Sequence, residues 1–138
     1  MAKKLAARKG NVMNFLPDTN IIINFLKGKD PDKTFLSNLL INNHLLISTI
    51  SSAEFIAGAS ESDKDKFYDF CKLGDLLDVN QEIAVAAGEY RQKLQRKTKK
   101  VYLLDCFLAA TCKKHNLVLI TNNAADYPMR DIKIIKPG

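Results

Sequence analysis

Four acidic residues, Asp18, Glu54, Asp105 and Asp126, stand where an unpaired carboxylate is hard to explain by structure alone. Asp18 closes the apolar run Val12-Met13-Asn14-Phe15-Leu16 and precedes Thr19-Asn20-Ile21-Ile22-Ile23. Glu54 follows Leu45-Leu46-Ile47, Asp105 is embedded in Tyr102-Leu103-Leu104-Asp105-Cys106-Phe107-Leu108, and Asp126 comes just past Leu117-Val118-Leu119-Ile120. Charged groups avoid apolar surroundings unless something compensates them. Carboxylates in contact repel and raise one another's pKa unless a cation sits between them. Oxygen-only donors suit Mg²⁺ or Mn²⁺ rather than zinc, because hard cations prefer carboxylates and water. One or two such ions would equip a site to activate water against a phosphodiester.

Each acid also has a purely structural reading. Asp18 fits an N-cap for a helix starting at Thr19. Glu54 stands three residues after Ser51, the spacing of a capping box. Asp105 suits the first turn of a helix, where the dipole favours an acid. Asp126 suits an Asx turn before Tyr127-Pro128. Taken singly, each is at least as good as a catalytic role; four acids at one sheet edge are harder to dismiss. His44 and His115 are separate from this set and read as helix-end or surface residues.

The elements that must position the acids follow from hydrophobic spacing and cap residues. Residues 12–16 read as a buried strand and 19–26 as a helix stopped near Gly28. Asp30-Pro31 opens a second helix, with Asp as N-cap and Pro at the first helical position, carrying Phe35, Leu36, Leu39 and Leu40 on one face. A strand at 45–48 leads to a helix from Ser51, and 62–73 is helical with Phe67, Phe70, Cys71 and Leu73 in step. A short strand at 76–79 precedes a helix capped by Asn80, whose inner face is Ile83, Ala87, Tyr90 and Leu94. Residues 103–115 form the next helix, with Lys113, Lys114 and His115 at its negative end and Asn116 as C-cap. Strands at 117–120 and 132–135 close the chain. Short apolar strands alternating with helices predict an α/β fold with a mostly parallel sheet covered on both faces. Ligands of such sheets bind beyond the carboxyl ends of the strands, where Asp18, Glu54 and Asp126 fall.

Bulk properties narrow the setting. At 138 residues, with 46% hydrophobic and 26% charged side chains, the chain fits one globular domain, residues 12–138, behind a basic arm at 1–11. No apolar stretch reaches membrane-spanning length, the N-terminus lacks a signal-peptide core, and three cysteines without CxxC spacing indicate neither a disulfide framework nor zinc. A reducing cytoplasm is the expected location. The net charge of +6 biases the chain toward polyanions. Basic residues cluster at Lys3, Lys4, Arg8 and Lys9, and again at Arg91, Lys93, Arg96, Lys97, Lys99 and Lys100. Phosphate-backbone binding uses such clusters, although either one alone reads better as a solvated helix face or a floppy terminus.

Four segments in order carry a resemblance: Asp18-Thr19-Asn20-Ile21-Ile22, then Ile50-Ser51-Ser52-Ala53-Glu54-Phe55-Ile56-Ala57-Gly58, then Leu104-Asp105-Cys106-Phe107-Leu108-Ala109-Ala110, then Leu119-Ile120-Thr121-Asn122-Asn123-Ala124-Ala125-Asp126-Tyr127. With these the chain resembles the PIN-domain ribonucleases, particularly the VapC-type toxins of bacterial and archaeal toxin–antitoxin pairs. The resemblance implies a three-layer α/β/α sandwich and Mg²⁺- or Mn²⁺-dependent cleavage of RNA. It implies that Asp18, Glu54, Asp105 and Asp126 form the metal site, with Asn20, Thr121 and Asn123 as polar helpers. It also implies a homodimer and a small antitoxin that blocks the site. Two departures stand out: Pro17 directly precedes the first acid, and Lys97-Thr98-Lys99-Lys100-Val101 replaces the glycine-containing approach to the third.

The resulting expectation is a metal-dependent endoribonuclease in which Asp18, Asp105 and Glu54 hold the principal ion and Asp126 completes the site. A solitary RNA-processing nuclease is the nearest alternative. A non-catalytic RNA-binding or assembly module is a second, although clustered acids facing phosphates do nothing for a binder. Asp18 as an aspartyl-phosphate nucleophile is a third.

Overall fold

The computed structural model describes residues 12–97 and 100–138. The basic arm read at 1–11 therefore lies outside the described residues, as does Lys99. Five strands, β1 (Asn14–Pro17), β2 (His44–Ser48), β3 (Asp75–Leu77), β4 (Val118–Ile120) and β5 (Lys133–Ile135), form one sheet in the order β3-β2-β1-β4-β5, with every pairing parallel. The helices are α1 (Thr19–Leu26), α2 (Asp32–Asn42), α3 (Thr49–Ala57), α4 (Glu61–Cys71), α5 (Gln81–Leu94) and α6 (Leu103–His115), with a single 3₁₀ turn at Ala124–Asp126. No helix among the described residues is long and apolar enough to cross a membrane.

Side chains of a strand alternate between the two faces, so neighbours in β1 enter different cores. Leu16, Leu46 and Leu119 pack with Ile83, Ala87, Leu108 and Ala109 of α5 and α6. Phe15, Leu45, Ile47 and Ile120 pack with Ile21, Ile22, Leu36, Phe55, Phe67 and Phe70 on the opposite face. Helices thus cover both sides of the sheet, which is why its strands read as continuous apolar runs rather than alternating ones. The result is the three-layer α/β/α arrangement expected from the sequence.

Several local devices act as the sequence predicts. Gly28, at φ +72°, takes the left-handed conformation just past α1. Asn80 Oδ1 accepts from Ile83 N at 2.9 Å at the start of α5, and Asn116, at φ 53°, ends α6. Other positions differ. Helix α3 starts at Thr49, two residues before Ser51, because Ser48 at the end of β2 caps it by accepting from Ile50 N at 3.1 Å. Ser51 is consequently buried inside the helix, and its capping box with Glu54 does not exist. Helix α2 starts at Asp32 rather than Pro31; Asp30, one position further out, accepts from Thr34 N at 2.9 Å and from Thr34 Oγ1 at 2.7 Å. His44 is neither a helix-end nor a surface residue. It is 4% exposed in β2, with Nε2 2.7 Å from Oδ2 of the buried Asp75 in β3. Burial of an imidazole at that depth is made tolerable by the paired carboxylate.

The sheet changes direction of progression at β1: β2 and β3 lie to one side, β4 and β5 to the other. The crevice beyond the carboxyl ends of β1 and β4 is therefore the place where loops separate and a ligand site can open.

Two glycines predict stability changes of opposite sign. A Cβ at Gly74 would overlap the carbonyl oxygen of Leu45 in the adjacent strand, whereas one at Gly88 in α5 meets nothing within 4 Å. Gly74→Ala should destabilise the chain by about 1–3 kcal/mol, and Gly88→Ala should stabilise it by up to about 1 kcal/mol. Urea unfolding followed by circular dichroism checks both; equal effects of the same sign would contradict this packing.

Candidate active site

The four acids arrive at one cleft from four different elements. Asp18 leaves β1 and caps α1, its Oδ1 accepting from Ile21 N at 3.0 Å, while its own N–H extends the ladder to Ile120 O at 2.9 Å. Its Oδ2 accepts from the buried Thr121 hydroxyl, just past β4. The cap expected from sequence is real, and it leaves the carboxylate facing the cleft. Glu54 projects from the second turn of α3, Asp105 from the first turn of α6, and Asp126 from the 3₁₀ turn. All four line the same concavity of about 220 Å³, together with Thr19, Asn20, Ile23, Leu108, Asn123 and Tyr127. Thr121 supports the cleft from behind, through Asp18 and by accepting from Asn123 N at 3.0 Å.

Neighbouring hydroxyls hold the acids. Thr19 Oγ1 lies 2.6 Å from Glu54 Oε1 and 3.2 Å from Ser51 Oγ. A hydroxyl has one proton, and the carboxylate is its stronger acceptor, so Thr19 donates chiefly to Glu54, with Ser51 Oγ as its weaker second acceptor. Tyr127 donates to Asp105 Oδ1 at 3.3 Å. Behind this layer, the buried Asp32 accepts from Asn24 and from Asn122 at 2.8 Å each, fixing the loop that carries Thr121 and Asn123.

No lysine, arginine or histidine lines the cleft, and none of the four acids forms an ion pair among the described residues. The electrostatic consequence is direct. Burial raises the pKa of Asp18, which is only 5% exposed, and Asp32 and Glu54 push it further; the bonds from Thr121 and Ile21 oppose the rise. Burial likewise raises Asp105 to about 6, with Asp126, Glu54 and Asp18 adding to the rise and Tyr127 opposing it. Tyr127, facing these acids and buried, is pushed well above the ordinary phenol range.

Among the described residues, no three carboxylate, imidazole or thiol groups converge closely enough to hold one ion as they stand. The donor set nevertheless fits a hard divalent ion: every ionisable lining group is an oxygen donor, and negative charge is in excess.

The PIN domain family model matches residues 15–131, spanning all four acids and every strand except the last. The chain belongs to the PIN-domain family. It is 27% identical over 121 residues to the tRNA(fMet)-specific endonuclease VapC of Shigella flexneri, covering 84% of this chain and 91% of that one. It is 30% identical over 122 residues to Ribonuclease VapC2 of Rickettsia felis, covering 83% and 90%. In structure it is similar to the DNA-bound VapBC of Salmonella typhimurium, with a TM-score of 0.76, 26% identity and coverage of 92% and 100%. VapBC2 of Rickettsia felis bound to a promoter DNA fragment shares the fold at a TM-score of 0.77 and 23% identity, covering 90% and 98%.

Within this PIN fold, the sequence signals Thr121 as a supporting group but not Thr19, Ser51 or Tyr127, which belong there only to the family segments, a cap and a turn. Asp32 carries no signal beyond an acid next to a helix start. The basic cluster is placed elsewhere. Arg91, Lys93, Arg96, Lys97 and Lys100 are exposed at the end of α5 and beyond, and none lines the acidic cleft.

The Asp105 carboxyl binds its proton more tightly in the folded than in the unfolded chain. Between its ordinary value near 3.8 and about 6, the folded state holds the extra proton, so this group's contribution to stability falls as pH rises through that window. In EDTA-treated protein, Asp105→Asn should raise the melting temperature at neutral pH and flatten its decline between about pH 4 and 6. Superimposable melting profiles of the two proteins would contradict the buried, charge-crowded environment assigned to Asp105.

Proposed function

We propose that the chain is a metal-dependent endoribonuclease acting in the cytoplasm as the toxin of a type II toxin–antitoxin system. The observation that carries this reading is the cleft itself: four carboxylates and, among the described residues, no cationic side chain, at the strand-end crevice of a PIN fold. The names of the relatives, ribonucleases and a tRNA endonuclease, support RNA as the substrate class. The structural similarity to the VapBC of Salmonella typhimurium and to a toxin–antitoxin complex from Klebsiella pneumoniae supports a protein partner.

In this reading Asp18, Glu54 and Asp105 hold the principal Mg²⁺ or Mn²⁺, and Asp126 completes the site directly or through water. When bound, such an ion supplies water activation and neutralises charge at the phosphodiester. The chain's own residues do the rest. Thr121 and the α1 backbone fix Asp18 from both oxygens, and Ser51 and Thr19 aim Glu54. Tyr127 orients Asp105, while Asn20 and Asn123 at the cleft wall offer neutral donors to phosphate oxygens. None of these groups competes with a cation as a positive charge.

A neighbouring pocket, lined by apolar Ile23, Leu26, Phe55 and Ala59 and by charged Lys27, Asp63 and Lys66, shares Ile23 and Glu54 with the cleft. It offers an antitoxin segment a seat from which to cover the site. Tyr102, Leu103 and Leu104, large apolar side chains left exposed beside Asp105, suit the contact of a homodimer. Asp18 as a phosphoaspartate nucleophile explains none of the other three acids.

The test is cleavage of total RNA from the source organism, with the ends mapped by sequencing. Cuts are expected with Mn²⁺ or Mg²⁺, and none with EDTA or in folded Asp105→Asn and Asp18→Asn, for a loss of roughly 10³-fold or more, about 4 kcal/mol of transition-state stabilisation. Undiminished cleavage by Asp105→Asn would remove that residue from the mechanism. A chain that binds RNA but never cuts it would instead be the non-catalytic module.

A further inference from the structure

A second concavity encloses about 870 Å³, against about 220 Å³ for the acidic cleft. Its cations come from three parts of the chain: Lys93 and Lys97 at the end of α5, Lys113 in α6, and Arg130 ahead of β5. Tyr90, Leu94 and Met129 give it an apolar floor. The two concavities adjoin in the chain, because Tyr127 lines the cleft and the next residue, Pro128, lines the groove.

The charges in this groove are unevenly satisfied. Of its two acids, Glu89 and Asp131, the second is already engaged: Tyr90 donates to it at 2.7 Å and Lys113 Nζ lies 3.8 Å away. Lys93, Lys97 and Arg130 are exposed and make no ion pair among the described residues. The acidic cleft repels a polyanion, so a phosphate chain brought to it needs attractive charge alongside rather than inside. The groove supplies that charge, and its floor supplies a surface for bases to stack on. Lys93 lies in the last turn of α5 and Lys97 in the turn that follows it, so two cations succeed one another along the groove, which suits a ligand with repeating charge better than a single acidic side chain.

We propose that this groove holds the single-stranded RNA flanking the phosphate in the acidic cleft. Its backbone lies on Lys93, Lys97 and Arg130, and its bases lie over Tyr90, Leu94 and Met129. The proposal rests on the nuclease reading above. It also divides the basic cluster of the sequence: Arg91, Arg96 and Lys100 do not line the groove, whereas Lys113 and Arg130, distant in sequence, do.

The experiment is fluorescence anisotropy of a labelled single-stranded oligouridylate, titrated with the full Asp105→Asn chain over a salt series. Neutralising the groove with Lys93→Gln, Lys97→Gln and Arg130→Gln together should weaken binding roughly 10- to 100-fold at moderate salt and reduce the log–log salt slope by about 2, as expected for three lost phosphate contacts. The off-groove pair Arg91→Gln and Arg96→Gln should change the slope by much less. An unchanged slope in the groove variant, or an equal loss from the off-groove pair, overturns the proposal. So does a groove variant that keeps its RNA affinity but loses self-association or a protein partner, since the groove is then a protein interface. Metal-dependent cleavage by the unsubstituted chain is measured in parallel. If cleavage is present and the slope ignores the groove, only the groove assignment fails; if cleavage is absent and the slope depends on the groove, only the nuclease reading fails.

Discussion

Repulsion among carboxylates that have no cationic partner is the constraint on which the rest of this structure turns. Asp18 is nearly buried at the end of the central strand, and Glu54, Asp105 and Asp126 face the same small cleft. Burying Asp18 and Asp105, with other acids close by, opposes folding, as their raised pKa values express. What holds them there is the remainder of the molecule. Two apolar cores clamp the sheet from both faces, and the strand order puts β1 beside β4 so that Thr121 meets Asp18. Neutral hydroxyls and amides, rather than lysines or arginines, brace the acids. They orient the carboxylates without cancelling the charge, as the proposed cation site requires.

In the proposed nuclease, the charge distribution divides the labour of binding a polyanion. Negative groups concentrate at the carboxyl edge of the sheet, while uncompensated positive groups line the larger groove along α5. A substrate attracted by the groove and presented to the cleft meets repulsion at only one phosphate. Without a metal ion that repulsion is unopposed.

Much of this was legible in the sequence because it is local. Periodicity and caps predicted α6 at its observed bounds, with Asn116 left-handed at its end, and placed α5 behind Asn80. The four acids were legible because each interrupts or follows an apolar run, and runs that are apolar throughout mark a sheet buried on both faces. The start of α3 was misplaced because Ser48 and Ser51 are equally good caps by type. Only the register of β2 decides that the chain leaves the strand at Ser48. The pairing of His44 with Asp75, and of Asp32 with Asn24 and Asn122, joins residues brought together by tertiary packing. Neither partner in those pairs signals the other in the sequence. The same holds for the groove: Arg130 and Lys113 join Lys93 and Lys97 only once α5, α6 and the approach to β5 are packed.

Calorimetric titration of Mn²⁺ into the chain and into its Asp18→Asn, Glu54→Gln, Asp105→Asn and Asp126→Asn variants tests the central claim most directly. The account predicts saturable binding that weakens in every variant, and in Asp18→Asn and Asp105→Asn by more than the roughly 10- to 100-fold typical of a supporting residue. Absence of saturable binding to the unsubstituted chain would contradict it, as would undiminished affinity in folded Asp18→Asn and Asp105→Asn. Either result would leave four crowded carboxylates without the cation that explains them.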